Sequence, residues 1–254
     1  VIRPSLRLCV VETVGEIAAA AAPIVIGIER EAIARRGEFR VALAGGSTPR
    51  PLYELLAAAR DPHPSFECWQ VFFGDERMVA ADHPDSNYRM AREALFERAP
   101  IAPQQIHRVP TETGSAAQTA AAYNAELQRC FALAAGQLPR FDLVLLGMGA
   151  DGHTASLFPG SSALTAPPAQ PVVANWVDRL HADRITLTSA AINAARAVVF
   201  LVSGADKAPA LRAVLAADEG ATPPERVPPA RTIAPVDGEL VFVTDRAAAA
   251  LATD

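Results

Sequence analysis

The sequence predicts an α/β fold, a doubly wound, mostly parallel sheet with helices on both faces, and three observations predict it. Short β-branched runs alternate with longer Ala/Leu/Glu/Arg stretches, the signature of βαβ units. Several of these runs, F-D-L-V-L-L and A-V-V-F-L-V among them, are near-continuously apolar, as expected where both faces of a sheet are buried. At 254 residues and 50% apolar content the chain is long enough to bury a full core. The expectation is a Rossmann-like three-layer sandwich forming one domain over residues 1–254.

Arg7 to Val11 reads as the first strand. Thr13 and Glu16 have the T-x-x-E spacing of a capping box, opening a long helix that runs toward Arg36 and stops at Gly37, a good left-handed terminator. A strand at Arg40 to Ala44 then leads into a helix over Pro51 to Arg60. Trp69 to Phe73 reads as the next strand, followed by helices over Ser86 to Arg98 and Ser115 to Ala135. Strands are expected at Phe141 to Leu146, Arg184 to Thr188, Val198 to Val202 and Leu240 to Val243, with helices at Ala208 to Ala217 and Asp245 to Leu251. The Pro-rich segments Ala166 to Pro171 and Thr222 to Pro229 read as loops.

Composition excludes several classes of function. A net charge of -5 lacks the broad positive field that captures a phosphate polymer, so no nucleic-acid partner is expected. The apolar stretch Ile17 to Ile28 is interrupted by Pro23 and followed by Glu29, Arg30 and Glu31, so neither a membrane span nor a signal peptide is expected. Cys9, Cys68 and Cys130 are far apart and form neither a disulfide framework nor a zinc knuckle, which suits ordinary thiols in a reducing cytoplasm. Of 23 basic residues only Lys207 is lysine.

In open parallel sheets ligands bind beyond the carboxyl ends of the strands, which narrows the chemistry to four loops. The first, Ala44-Gly45-Gly46-Ser47-Thr48-Pro49-Arg50, combines two glycines that admit a ligand to the backbone, two hydroxyls and a following helix N-terminus, a cradle for one phosphate. It is not a Walker loop, because no G-K-[ST] follows. Two other readings are a plain turn with a Ser/Thr cap and a nucleophilic Ser47 on an elbow, the latter opposed by Pro49 in place of the second glycine of G-x-S-x-G. The second loop, Gly74-Asp75-Glu76-Arg77, follows an apolar strand with three charges. These could position sugar hydroxyls (Asp75), stabilise developing negative charge (Arg77), or pair with one another. Ser86 reads as a helix cap, and Asn87 as either a helix-start residue or a substrate contact.

The third loop runs from Gly147 to Thr154. Its Gly147, Gly149 and Gly152 satisfy G-x-G-x-x-G, but Pro159-Gly160 ends any helix within two turns, so no dinucleotide cofactor is expected. The glycine run instead presents His153 on a tight turn with backbone N–H groups around it, as a candidate general base. No histidine has H-x-x-H or H-E-x-x-H spacing, so no catalytic metal is expected. The fourth contribution comes from Arg184, at the start of R-I-T-L-T, and from Lys207. A lone ammonium at a strand end in an arginine-rich chain suits phosphate binding.

These loops resemble the 6-phosphogluconolactonase family: A-G-G-S-T-P at Ala44 to Pro49, F-G-D-E-R at Phe73 to Arg77, D-S-N-Y at Asp85 to Tyr88, L-G-M-G-A-D-G-H-T-A-S-L-F-P-G at Leu146 to Gly160, R-I-T-L-T at Arg184 to Thr188 and G-A-D-K-A at Gly204 to Ala208. Glucosamine-6-phosphate deaminases, similar in fold, share the phosphate loop, the D-E pair and D-G-H. They differ in carrying an aromatic residue where Arg77 stands and a glutamate where this chain has Phe158, which cannot shuttle protons.

The resemblance implies hydrolysis of 6-phospho-D-glucono-1,5-lactone in the oxidative pentose phosphate pathway, with no cofactor and no metal, by water attack that His153 assists. Arg77 and backbone N–H groups of Gly147 to Gly152 would support the oxyanion. Asp75 or Asp151 would orient His153, and Ser47, Thr48, Arg184 and Lys207 would hold the phosphate. Gly45, Gly46, Asn87, Asp151 and Gly152 complete the expected substrate contacts. A deaminase-like enzyme and a silent sugar-phosphate binder are the alternatives, and a monomer is the favoured state.

Overall fold

The computed structural model describes residues 6–60, 62–216 and 227–252. Among these residues nine strands fall into two sheets. The main sheet is six-stranded and wholly parallel, built from β1 (Leu6–Val11), β2 (Phe39–Leu43), β3 (Trp69–Phe73), β5 (Leu143–Gly147), β8 (Ala197–Val202) and β9 (Glu239–Asp245) in the order β1-β9-β8-β5-β2-β3. From β2 the chain steps outward to β3 and then returns to β5 on the other side of β2. The gap between β2 and β5 is therefore the switch point, where carboxyl-end loops diverge and leave a crevice.

The residues of the inner strands explain their position. All six residues of β8 are buried, as are Leu143 to Leu146 of β5, which leaves no polar face for water. Helix α1 (Val14–Arg36) covers one side with Ile17, Ala21 and Val25. Glu16 accepts the backbone N–H groups of Glu12 and Thr13 at 2.9 and 3.3 Å, and Gly37, at φ 75°, closes the helix with its N–H on Ile33 O. Pro23 does not interrupt α1. It lies on the exposed face, where the Ala19 carbonyl it strands is open to water. Among the described residues no helix is long and apolar enough to cross a membrane.

A second, antiparallel sheet has the order β4-β7-β6, from β4 (Asp75–Arg77), β6 (Val172–Val177) and β7 (Ala182–Leu187). This corrects two expectations. The R-I-T-L-T segment is a strand but lies outside the parallel sheet, and Asp75 to Arg77 is not a free loop but the edge of this ribbon. The physical reason is that β6 and β7 form a local hairpin, which needs no crossover helix. Its turn through Asp178–Leu180 places His181 at φ 45°. The ribbon is joined to the main sheet at Gly74, whose N–H donates to Leu43 O at 2.9 Å and whose carbonyl accepts from Leu187 N at 2.8 Å.

The remaining helices keep the expected order with shifted bounds. They are α2 (Arg50–Ala58), α3 (Asn87–Ala91, continued by a π-helical segment Arg92–Phe96), α4 (Ala116–Phe131), α5 (Ser189–Asn193), α6 (Ala208–Leu215) and α7 (Arg246–Ala249). The sequence reading does not include α5, whose five residues are too few to show a period. The expected end of α6 at Ala217 and residues 222–226 of the second Pro-rich loop lie outside the described residues.

Candidate active site

The carboxyl ends of β2, β3, β5 and β8 enclose a cavity of about 280 Å³ lined by Gly45 to Thr48, Gly74, Asp75, Arg77, Gly147 to Gly149, His153, Ala155 and Lys207. It therefore brings together Ser47, Thr48, Asp75, Arg77, His153 and Lys207 as the sequence predicts. A larger cleft of about 680 Å³ lies at the opposite, amino-terminal ends. Its arginines are largely met by acids: Asp142 takes an ion pair from Arg36 and lies 3.4 Å from the guanidinium of Arg196.

Two tyrosines pin the loops that form the cavity. Tyr53 of α2 folds back so that its hydroxyl accepts from Ala44 N at 2.9 Å and donates to Ala44 O at 2.8 Å. Tyr123 of α4 does the same to Phe73, accepting from its N at 2.8 Å and donating to its O at 3.1 Å. Both phenols are buried, and burial pushes their pKa values up. Ala44 and Phe73 adjoin the glycines that open the first two loops, so the tyrosines fix where the ligand-binding backbone begins. Nothing local in the sequence announces these contacts, which span 9 and 50 residues.

Helix α2 starts at Arg50 with Pro49 as its N-cap and no side-chain capping bond, so its first N–H groups are not taken by Ser47 or Thr48. Gly46 is at φ 96°, and the Thr48 hydroxyl meets that of Ser203 at 3.1 Å. Gly45 lines the cavity and has a further use: a Cβ there would overlap the side-chain amide of Asn87. Asn87 is buried, absent from the cavity wall, and donates to Asp75 O at 2.9 Å and Asp75 Oδ1 at 3.0 Å. It is thus a helix-start residue that positions Asp75, not a substrate contact in this cavity.

Asp75 and Glu76 separate into distinct roles. Glu76 points away from the cavity and caps α3, accepting from the N–H groups of Asn87 and Tyr88 at 2.8 Å each and from the Ser86 hydroxyl at 3.2 Å. Burial raises its pKa against these hydrogen bonds. Asp75 Oδ2 accepts from Ser156 Oγ at 2.7 Å. Asp75 makes no bond to His153, so the expectation that it might orient the histidine is not met.

That role falls to Asp151. Its Oδ1 lies 2.5 Å from His153 Nδ1 and 3.1 Å from His153 N, and its Oδ2 pairs with Arg179 at 2.8 Å. Burial opposes ionisation of Asp151, but the bonds from His153 and the charges of His153 and Arg179 outweigh it and hold the carboxyl below its ordinary range. A carboxylate only accepts, so Nδ1 carries a proton, and in the neutral imidazole the lone pair is on Nε2. Phe158 stacks on the imidazole with centroids 4.3 Å apart, and the Arg179 guanidinium lies over the Phe158 ring, 4.8 Å from its centroid. Arg179 and Ser156 are site residues the sequence reading misses; Ser156 lies inside the longest motif, whereas Arg179 has no local signal.

Gly149 and Gly152 of this turn are sterically required, but their N–H groups are spent within it. Gly149 N donates to His153 O at 2.9 Å and Gly152 N to Gly149 O at 3.0 Å, so neither is free for an oxyanion. Gly152, at φ 75° and packed under Pro228, is a turn residue outside the cavity wall, not the substrate contact expected of it. Asp151 likewise serves His153 and does not line the cavity. Ala155, at φ 47°, is held in a conformation unfavourable to a residue with a Cβ as it contributes to the wall.

Arg77 lines the cavity and donates to Asp85 O at 2.5 Å. Arg184 stands directly opposite it in the β4–β7 register, behind the wall and not in it. Its Nε and Nη1 are buried without a hydrogen-bond partner. Burial, reinforced by the Arg77 charge, lowers the Arg184 pKa. Lys207 stands on the other wall beside Asp206, with Nζ to Oδ2 at 2.6 Å. The turn that carries it is anchored by Asp245, which accepts from Gly204 N at 3.1 Å and caps α7.

Comparisons with known proteins point to one family. A family profile described as glucosamine-6-phosphate isomerases/6-phosphogluconolactonase matches residues 12–242. A 6-phosphogluconolactonase of Nostoc sp. is 46% identical over 221 residues, covering 86% of this chain and 87% of its own. The 6-phosphogluconolactonase of Rattus norvegicus is 36% identical over 224 residues, covering 85% and 81%. The structure of 6-phosphogluconolactonase from Trypanosoma cruzi superposes with a TM-score of 0.86 at 30% identity, covering 100% and 99% of the two chains.

Proposed function

The chain belongs to the glucosamine-6-phosphate isomerase/6-phosphogluconolactonase family, and from that premise we propose that it hydrolyses 6-phospho-D-glucono-1,5-lactone to 6-phospho-D-gluconate. The observation that carries the reading is the Asp151–His153 pair, whose imidazole is on the cavity wall, because it gives that imidazole a fixed tautomer with a basic Nε2. A lactone carbonyl is electrophilic enough to need only a positioned water, a base and charge stabilisation. His153 Nε2 takes a proton from water as its oxygen bonds to C1. The imidazolium then returns a proton to the ring oxygen as the C1–O bond breaks.

Asp151 holds the imidazolium in place and offsets its charge. Arg77, with Arg184 beside it, supplies positive potential at the same wall, suited to the oxyanion and the carboxylate product. Gly46, Ser47, Thr48, the α2 N-terminus and Lys207 hold the 6-phosphate, whose binding aligns the lactone. Asp75, kept in place by Asn87 and Ser156, accepts from a sugar hydroxyl. Phe158 against the imidazole favours this reading over amino-sugar deamination, since it places a benzyl group where a proton carrier would be needed.

The test is turnover of freshly generated 6-phosphoglucono-1,5-lactone, followed through 6-phosphogluconate dehydrogenase, with glucosamine 6-phosphate in parallel. Hydrolysis above the spontaneous rate without ammonia release is the expected result. Ammonia release would favour the deaminase, and inactivity on both substrates a sugar-phosphate binder.

A further inference from the structure

We propose that His107, Glu126 and Cys130 form a binding site for one zinc-class divalent ion, separate from the catalytic cavity. Glu126 and Cys130 are one turn apart on α4 and so share a helix face. The chain segment beside β3, held by His107 N on Val71 O at 2.8 Å, brings the imidazole onto that face. The result is three possible ligand atoms in a cluster: Nδ1 to Oε1 is 2.7 Å, Sγ to Nδ1 is 3.4 Å and Sγ to Oε1 is 3.3 Å. In tetrahedral zinc sites with ordinary bond lengths such atoms are about 3.4 to 3.6 Å apart. The half-exposed Glu126 carboxylate needs to withdraw by less than about 1 Å to reach that spacing.

The hydrogen bonds of His107 point the same way. His107 Nδ1 lies 2.7 Å from Glu126 Oε1 and Nε2 lies 2.8 Å from Gln70 Oε1, so an ion bound at Nδ1 takes the place of the hydrogen bond to Glu126 while Nε2 keeps its amide partner. A neutral imidazole whose remote N–H is fixed by an amide oxygen is also the arrangement typical of histidine metal ligands. Phe72, stacked on the ring at 4.5 Å and 14°, fixes its plane. An adjoining cleft of about 300 Å³, lined by Glu38, Gln104 and Cys130 among others, leaves room for water at a fourth position.

A nitrogen, an oxygen and a sulfur ligand select zinc or cobalt over magnesium or calcium. On binding, the Cys130 thiol loses its proton to solvent as the metal–sulfur bond forms, and thiolate plus carboxylate neutralise the dication. Arg129, which now bonds Glu126 Oε1 at 2.6 Å, is two-thirds exposed (67%) and is displaced by the ion.

The experiment strips the full-length protein with a chelator, dialyses it and titrates it with Co²⁺. The expected result is a thiolate-to-cobalt charge-transfer band that saturates at one equivalent and is abolished by Zn²⁺. Cys130→Ser, a near-isosteric change, should abolish the band, and Glu126→Gln should weaken binding at least about tenfold. His153→Ala should leave the band intact, which separates this site from the catalytic imidazole. No band, a band that survives in Cys130→Ser, or a band lost only in His153→Ala would overturn the proposal in favour of a plain His–Glu hydrogen bond.

Discussion

Asp151 Oδ1 meets His153 Nδ1 at 2.5 Å, and the two side chains lie where a Cβ on Gly149 would be. Gly149 is not at a positive φ, so its requirement is one of space alone. Gly149→Ala should therefore fold and still bind phosphorylated ligands through the opposite wall, while the displaced imidazole loses its alignment. The expected outcome is a fall in kcat of roughly 10²-fold or more with binding of 6-phosphogluconate little changed. Normal turnover in this variant would show that the pair does not need its present geometry.

His153→Ala removes the base itself and should lower kcat by about 10²- to 10⁴-fold with KM nearly constant. Asp151→Asn keeps the shape but offers an amide where Nδ1–H needs a carboxylate, so a loss of similar order is expected. If the two variants differ from wild type only in KM, the imidazole is a binding residue and not a base.

Residues close in sequence made much of this readable. The Gly147 to Thr154 turn contains its own base, its orienting carboxylate and the glycine that accommodates both, within the five residues from Gly149 to His153. The strand runs that place it are continuous and apolar. What stayed hidden depends on distant partners. Asp75 and Asp151 are equivalent on paper, and only Asn87 and Ser156 on the one, and His153 and Arg179 on the other, divide their roles. Glu76 reads as a third site charge until α3 turns its N-terminus onto it. The small antiparallel sheet was missed because Asp75–Arg77 is only three residues long and Ala182–Leu187 looks like any other buried strand.

The lowered pKa of Asp151 has a consequence for stability. A carboxyl depressed in the folded state contributes stability that is fully present above its unfolded value, about 3.9, and is lost as pH falls through the lower folded value. The urea midpoint of the wild type should thus drop on acidification below about pH 4, and that of Asp151→Asn should drop less over the same window. Parallel curves for the two proteins would mean that the His153 and Arg179 contacts do not favour the ionised form.

Lys207 offers the cleanest separation of binding from chemistry. Its ammonium lines the cavity opposite Arg77 and has Asp206 as its neighbour, so removing it takes a positive charge from the phosphate end and leaves the Asp151–His153 pair untouched. A charge-assisted bond to phosphate contributes about 1.5 to 3 kcal/mol, so Lys207→Ala should raise KM for the phosphorylated lactone by about 10-fold or more. Unphosphorylated glucono-1,5-lactone has no group for Lys207 to hold, and its slow turnover should be the same in variant and wild type. Lys207→Arg should restore little, because a planar fork replaces a compact ammonium on a turn fixed by Asp245. Equal losses on both lactones would instead place Lys207 near the carbonyl and reverse the orientation of the substrate in the cavity.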